Sequence, residues 1–138
     1  MAEAIFNSLM EGKVLAFSAG TKPAERINPL VVEVMGEIGL DISKNSPKLV
    51  TLEMLDDSDL VITMGCSVEE ACPASFVQTE DWELDDPMGK SIEEVRQIRD
   101  QVDKRVKELV KHAVQIERPL LIRVLLRNLI GYFRRLKG

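Results

Sequence analysis

The sequence predicts an α/β fold built around a parallel β-sheet, and three observations lead to this prediction. Leu60–Met64 is a nearly continuous apolar run rich in β-forming residues, which is typical of a central parallel strand. Val14–Ser18 is a second short apolar run that reads as a buried strand. Segments with helical periodicity alternate with these two strands. Such alternation of strands and helices along a chain favours an α/β fold.

Three helices are predicted in the first part of the chain. Ala2–Glu11 carries apolar residues at helical spacing and is followed by a glycine. Asn28 and Pro29 start the second helix, as an N-cap and a proline at the first helical position, and Gly39 ends it. Thr51–Leu55 should form one or two helical turns capped by its threonine.

A short strand and a long helix are predicted in the second part of the chain. Ser75–Gln78 is predicted as a last short strand. Ser91 and Glu94 have the spacing of a capping box, with Ser91 at the N-cap. Apolar residues then recur at helical spacing from Ile92 to Val110.

An acidic residue on a constrained loop precedes this long helix. Pro87 fixes its own φ and keeps Asp86 out of the helical region, so Asp86 has an extended backbone. Gly89 then allows the chain to turn freely. A carboxylic acid in such a loop can deliver a proton to a leaving group. The plainer interpretation is a solvated aspartate in an ordinary turn.

Composition limits the classes of function. The apolar fraction of 45% supports a real core, and the net charge of −5 argues against general nucleic-acid binding. Two cysteines, Cys66 and Cys72, are too few for a disulfide scaffold, and one histidine, His112, makes a zinc site improbable. We expect no metal or other cofactor. The start does not resemble a signal peptide, and no apolar run has bilayer length, so a cytoplasmic protein is expected.

The last part of the chain, residues 118–138, holds six basic residues and no acidic one. One side of a helix would carry Leu121, Leu125, Leu129, Tyr132 and Leu136, and the opposite side Arg123, Arg127, Arg134 and Lys137. This pattern predicts a basic amphipathic helix. Such a helix could pack on this domain, mediate self-association, contact an anionic membrane or bind a partner's groove. The run Leu120–Leu126 could instead form a strand, although helical periodicity fits it better.

Several motifs occur in the order found in thioredoxin-coupled arsenate reductases, and the most specific is Trp82-Glu83-Leu84-Asp85-Asp86-Pro87-Met88-Gly89-Lys90. The others are Met1-Ala2-Glu3-Ala4-Ile5-Phe6, Ser18-Ala19-Gly20-Thr21, Asn28-Pro29, the strand Asp59–Met64, Cys72-Pro73 and Ile98-Arg99-Asp100. The chain therefore resembles this family, which shares its fold with low-molecular-weight protein tyrosine phosphatases, over roughly residues 1–114. The resemblance implies a three-layer α/β sandwich in residues 1–116. The amphipathic helix that the residue pattern predicts then forms a separate segment, residues 117–138.

The resemblance also implies a chemistry and a partner. Asp86 matches the catalytic general acid/base of the family, and Cys72 matches the last cysteine of a redox relay. Cys66 is the candidate for the other relay cysteine. The implied substrate is an oxyanion, either arsenate or a phosphate ester, and the implied partner is a thioredoxin-like reductant.

The chain departs from the family pattern at its start. Family members open with a strand and a Cys-x5-Arg phosphate loop, and neither cysteine of these 138 residues has an arginine at that spacing. In the family order that strand lies between Val14–Phe17 and Leu60–Thr63, so these two segments should be parallel without pairing directly. We expect the 138 residues alone to be inactive on arsenate and aryl phosphates, because nothing would hold the oxyanion for attack.

Three hypotheses of function follow. The first is an arsenate reductase or related phosphatase whose strand and loop are encoded upstream of a wrongly chosen start. The second is a catalytically inactive remnant that acts as a binding module through its basic tail. The third is a peripheral membrane protein held by the same tail.

Overall fold

A computed structural model describes residues 1–64, 78–115 and 124–127 of the chain. Four helices and four strands lie in this part of the chain. In chain order they are α1 (Ala2–Met10), β1 (Phe17–Ser18), α2 (Pro29–Gly36), α3 (Leu52–Asp56), β2 (Leu60–Thr63), β3 (Gln78–Asp81), α4 (Ile92–Gln115) and β4 (Val124–Arg127). None of the helices in the described residues is long and apolar enough to cross a membrane.

The four strands form one parallel sheet in the order β1-β4-β2-β3. Both β1 and β2 pair with β4 and not with each other. The prediction that the segments Val14–Phe17 and Leu60–Thr63 contribute parallel strands that do not pair directly is therefore confirmed, and the position between them is filled by β4.

The sheet is covered on both faces, which makes the described fold a three-layer α/β sandwich. Alternate residues of β2 face opposite sides of the sheet. Leu60 and Ile62 belong to the large core cluster with side chains of α1, α2 and α4. Val61 belongs to a second cluster, with Leu55 of α3 and Ala19. The predicted fold class is confirmed by this arrangement.

The predicted starts of the helices are confirmed by their caps. The Asn28 side chain accepts a hydrogen bond from the Leu30 N–H (3.0 Å), and the Thr51 hydroxyl accepts one from the Met54 N–H (3.2 Å). At α4 the Ser91 N–H donates to Glu94 Oε2 (2.8 Å), and the Glu94 N–H donates to Ser91 Oγ (3.3 Å). This reciprocal pair is the predicted capping box.

The first predicted strand is shorter than expected, because its beginning bonds to a side chain instead of a strand. Val14–Ser18 was predicted, whereas β1 contains only Phe17 and Ser18. Ala16 donates its N–H to Asn7 Oδ1 (2.7 Å) and accepts from Asn7 Nδ2 (3.0 Å). Both main-chain groups of Ala16 are thus satisfied by α1, so no ladder is needed there.

The third strand begins where the prediction ended. Ser75–Gln78 was predicted, but β3 is Gln78–Asp81, and residues 75–77 lie outside the described residues. The strand was missed because its residues are polar. A polar strand is stable in this position because β3 forms the edge of the sheet and its side chains at Thr79–Asp81 are exposed.

The predicted C-terminal helix is wrong at Val124–Arg127, which forms strand β4 in the middle of the sheet. The rest of the tail lies outside the described residues. The central position explains the difference, because β1 and β2 both need main-chain partners on their facing edges. Tertiary context of this kind overrides a helical pattern of apolar residues. The division of the chain into residues 1–116 and a separate tail stays a prediction.

Candidate functional site

A cleft of about 230 Å³ opens beside the carboxyl end of β1, and Asp86 lines it. Loops at the carboxyl ends of parallel strands are the usual place for ligand sites in open α/β sheets. The walls come from the first turn of α1, from the segment between β1 and α2, from residues 42–48 and from the turn after Asp85. The sequence motifs Ser18-Ala19-Gly20 and Asp86-Pro87-Met88 thus meet in one place.

Buried side chains anchor the loop that carries Asp86. Trp82 and Leu84 are buried in the large core cluster, whereas Asp85 and Asp86 are exposed. The Trp82 N–H also donates to the Thr63 carbonyl (2.8 Å), and its indole N–H donates to Glu80 Oε1 (2.9 Å). The loop is therefore fixed to the end of β2 and to the core, with its acidic residues left outside.

The turn at Asp86 is held by its own carboxylate. Asp86 Oδ1 accepts a hydrogen bond from the Met88 N–H at 2.8 Å, which is the geometry of an Asx turn. Gly89 has φ of +73°, a left-handed conformation that glycine adopts without strain. The neighbouring Asp85 has a different environment, because its carboxylate lies 3.6 Å from the Lys90 ammonium and it does not line the cleft.

A second polar group on the cleft wall consists of Glu3, Ser18 and Lys48. The Ser18 hydroxyl donates to Glu3 Oε2, and Lys48 Nζ lies 3.7 Å from Glu3 Oε1. Lys48 Nζ also lies 5.9 Å from the centre of the Phe17 ring, within the range of a cation–π contact. This group fixes the first turn of α1 against the end of β1, and the charge of Lys48 is balanced by Glu3.

No sequence pattern marked Glu3, Lys48 or Arg26, which also lines the cleft, as wall residues. Glu3 appeared only within a family motif, and Lys48 and Arg26 carried no pattern of their own. Position was an available signal for Arg26 alone, because it lies in the segment that follows the carboxyl end of the first predicted strand, where residues tend to line a site. Asn28 was recognised as a cap, but its second contact, with the Pro87 carbonyl at 3.5 Å, spans 59 positions and has no local signature.

The two predicted relay cysteines, Cys66 and Cys72, lie outside the described residues. His112 is exposed on α4, with Nδ1 2.9 Å from the Glu108 carbonyl oxygen. Within the part of the chain that the structure describes, no three histidine, cysteine or acidic residues are grouped so that they could hold a metal ion.

Comparison with known proteins identifies the family of this chain. The family described as low molecular weight phosphotyrosine protein phosphatase matches residues 1–119. The chain belongs to this family. Among its relatives, a Halobacterium salinarum protein provisionally named an arsenate reductase is 45% identical over 100 residues, which are 72% of this chain and 70% of that protein.

Solved structures of arsenate reductases share the fold of this chain. An arsenate reductase in its oxidized state matches with a TM-score of 0.71 and 35% identity, covering 80% of this chain and 86% of the other. A thioredoxin-dependent arsenate reductase from Corynebacterium glutamicum matches with a TM-score of 0.67 and 35% identity, covering 85% of this chain and 55% of that one. The predicted family resemblance is therefore confirmed.

Proposed function

We propose that this chain is an arsenate reductase-like member of the family, in which Asp86 is the general acid/base and Cys66 and Cys72 form the redox pair. The observation that carries the proposal is the position of Asp86 in the cleft beside the carboxyl end of β1. Relatives and solved structures named as arsenate reductases share this fold and much of the sequence.

The proposed role of Asp86 follows from its surroundings. The hydrogen bond to Met88 uses one carboxylate oxygen and fixes the orientation of the side chain. The group is exposed in the cleft, so it can exchange protons with solvent between turnovers. A positioned acid of this kind protonates the oxygen that leaves the substrate. Asp85 is the weaker candidate, because it lies near Lys90 and outside the cleft wall.

The proposed role of the cysteine pair is electron transfer. Reduction of arsenate to arsenite takes two electrons, and oxidation of two thiols to one disulfide supplies two electrons and two protons. A thioredoxin-like partner would then reduce the disulfide by thiol–disulfide exchange. The thioredoxin-dependent relative from Corynebacterium glutamicum supports a reductant of this class. For the location, we keep the expectation of a cytoplasmic protein, where reduced thioredoxins are available.

The oxyanion substrate needs a further group for the first chemical step. In the family pattern this is the Cys-x5-Arg loop, and these 138 residues do not contain one. The proposal therefore assigns to this chain the proton transfer and the redox relay. The names of the relatives favour arsenate over a phosphate ester as the substrate. They give no support to the alternatives of an inactive binding module or a peripheral membrane protein.

The relay can be tested with the chain as it stands. After mild oxidation, the protein is mixed with thioredoxin, thioredoxin reductase and NADPH. We expect the oxidation of about one NADPH per chain, since one disulfide accepts two electrons. Cys66→Ser and Cys72→Ser should each abolish this signal. A signal that persists in either variant, or an oxidised protein that thioredoxin does not reduce, would refute the relay.

A further inference from the structure

Three basic residues line the cleft, and two of them are already engaged. Lys48 is paired with Glu3 at 3.7 Å, and Lys22 takes part in another interaction. Arg26 is exposed on the cleft wall and has no hydrogen bond or ion pair with any residue that the structure describes. Its guanidinium is therefore available to a ligand.

Arg26 and Asp86 stand on two segments that touch each other. Asn28 follows Arg26 by two residues, and its side-chain N–H donates to the carbonyl of Pro87, which directly follows Asp86 (3.5 Å). The Asn28 carboxamide oxygen also caps α2 by accepting from the Leu30 N–H (3.0 Å). The same residue thus ties the loop of Arg26 both to a helix and to the turn of the proposed acid.

The charges of the cleft create a need for such a group. An arsenate or phosphate dianion entering it meets the carboxylate of Asp86, and the charge of Lys48 is paired with that of Glu3. A guanidinium can compensate the dianion with two parallel charge-assisted hydrogen bonds, which matches the geometry of a tetrahedral oxyanion. We propose that Arg26 binds the oxyanion substrate in this cleft, next to Asp86. This inference rests on the proposed function and adds the residue that recognises the substrate.

The test is the binding of inorganic phosphate and of arsenate to the purified 138-residue chain, measured by calorimetry at constant ionic strength. Arg26→Gln should weaken binding about 10- to 100-fold, the usual effect of losing a charge-assisted contact. The affinity of Arg26→Lys should lie between that of the unmodified chain and that of Arg26→Gln, because lysine keeps the charge but cannot donate two parallel hydrogen bonds. The matched control is Arg105→Gln, an exposed arginine on α4 outside the cleft wall, which should bind as the unmodified chain does.

Each outcome separates this inference from the proposed function. Equal binding by Arg26→Gln and the unmodified chain, or equal weakening by Arg105→Gln, overturns the role of Arg26 alone. No binding of either anion by the unmodified chain overturns the role of Arg26 and leaves the proposed function standing, because that function assigns only proton transfer and the redox relay to these residues. Weakened binding by Arg26→Gln, in a protein whose disulfide thioredoxin does not reduce, supports Arg26 and refutes the relay. Thermal unfolding of Arg26→Gln should be unchanged, since the side chain is exposed and has no partner among the described residues.

Discussion

Asp86 lines the cleft and its carboxylate also shapes its own turn, and this combination determines which substitution is informative. Asparagine can keep the acceptor for the Met88 N–H while removing the ionisable proton. Alanine would remove the acceptor as well and loosen the turn. Asp86→Asn is therefore the variant that separates proton transfer from loop geometry.

A second residue-scale feature is the Glu37 carboxylate at the end of α2, which accepts from two arginines of α4. Arg96 Nη2 lies 2.7 Å from Glu37 Oε1, and Arg99 Nη1 lies 2.8 Å from Oε2. Arg99 Nη1 also donates to the Val34 carbonyl (2.9 Å), and its side chain is only 11% exposed. The network therefore attaches the end of α2 to α4.

This network predicts a pH dependence of stability. Hydrogen bonds from Arg96, with further contributions from Arg99, hold the pKa of the Glu37 carboxyl below its ordinary value. Because the folded-state pKa is the lower one, the contribution is fully present above the ordinary glutamate pKa. It is lost as pH falls from there through the folded-state pKa. Glu37→Gln should lower the midpoint of urea unfolding at pH 7 and make the loss of stability on acidification shallower. If the unfolding midpoint of Glu37→Gln depends on pH in the same way as that of the unmodified chain, Glu37 contributes nothing to the loss of stability in acid.

At the scale of the elements, α1 is held by one buried face against α4. Phe6 is 1% exposed in the core, whereas Leu9 on the same helix is 43% exposed. Phe6→Ala should cost about 3–5 kcal/mol of unfolding free energy, because it removes buried contacts and leaves a cavity. The matched control Leu9→Ala should cost less than about 1 kcal/mol. Chemical unfolding measures both, and similar costs for the two would contradict the packing described.

The elements also show which parts of the fold could be predicted from the sequence. Helix starts were predictable because a cap such as Asn28 or Ser91 acts on residues two or three positions away. The extent of β1 depended on the Asn7 side chain, nine positions away, which bonds to the main chain of Ala16. β3 and β4 depended on partners in β2, so local composition did not define them.

In the candidate site, too, features set by neighbouring residues were predictable and features set by distant residues were not. Asp86 was predictable because the constraint from Pro87 and the capping box behind it are local features. The opposite wall of the cleft was not predictable from local features. Arg26 and Lys48 lie near Asp86 because of tertiary structure, including the contact between Asn28 and Pro87. Only the family motifs linked these distant segments in advance.

At the scale of the whole molecule, the sheet is completed by the last strand in the sequence. β4 pairs with β1 through Leu125 and Leu126 and with β2 along its whole length. This is the position that the family order gives to the opening strand. Removing residues 116–138 should therefore leave β1 and β2 without a partner on their facing edges.

The truncated chain should unfold at a lower urea concentration than the full chain, with a shallower transition. A smaller dependence on urea is expected because less surface is buried in the native state. Urea unfolding followed by circular dichroism measures both quantities. A truncated chain with the same midpoint and slope would contradict the central position of β4.

The proposed role of Asp86 is that of proton donor in an arsenate reductase. The most direct measurement uses a version of the chain that carries the family's opening strand and Cys-x5-Arg loop ahead of residue 1. Its arsenate-dependent NADPH oxidation is followed with thioredoxin and thioredoxin reductase, and the 138 residues alone should show no turnover. Asp86→Asn should slow the reaction by about 10²- to 10⁴-fold, the range for a positioned proton donor. Asp85→Asn should leave the rate nearly unchanged. An unchanged rate in Asp86→Asn would refute this role. Turnover by the 138 residues alone that disappears in Cys66→Ser or Cys72→Ser would show that they contain a different active site.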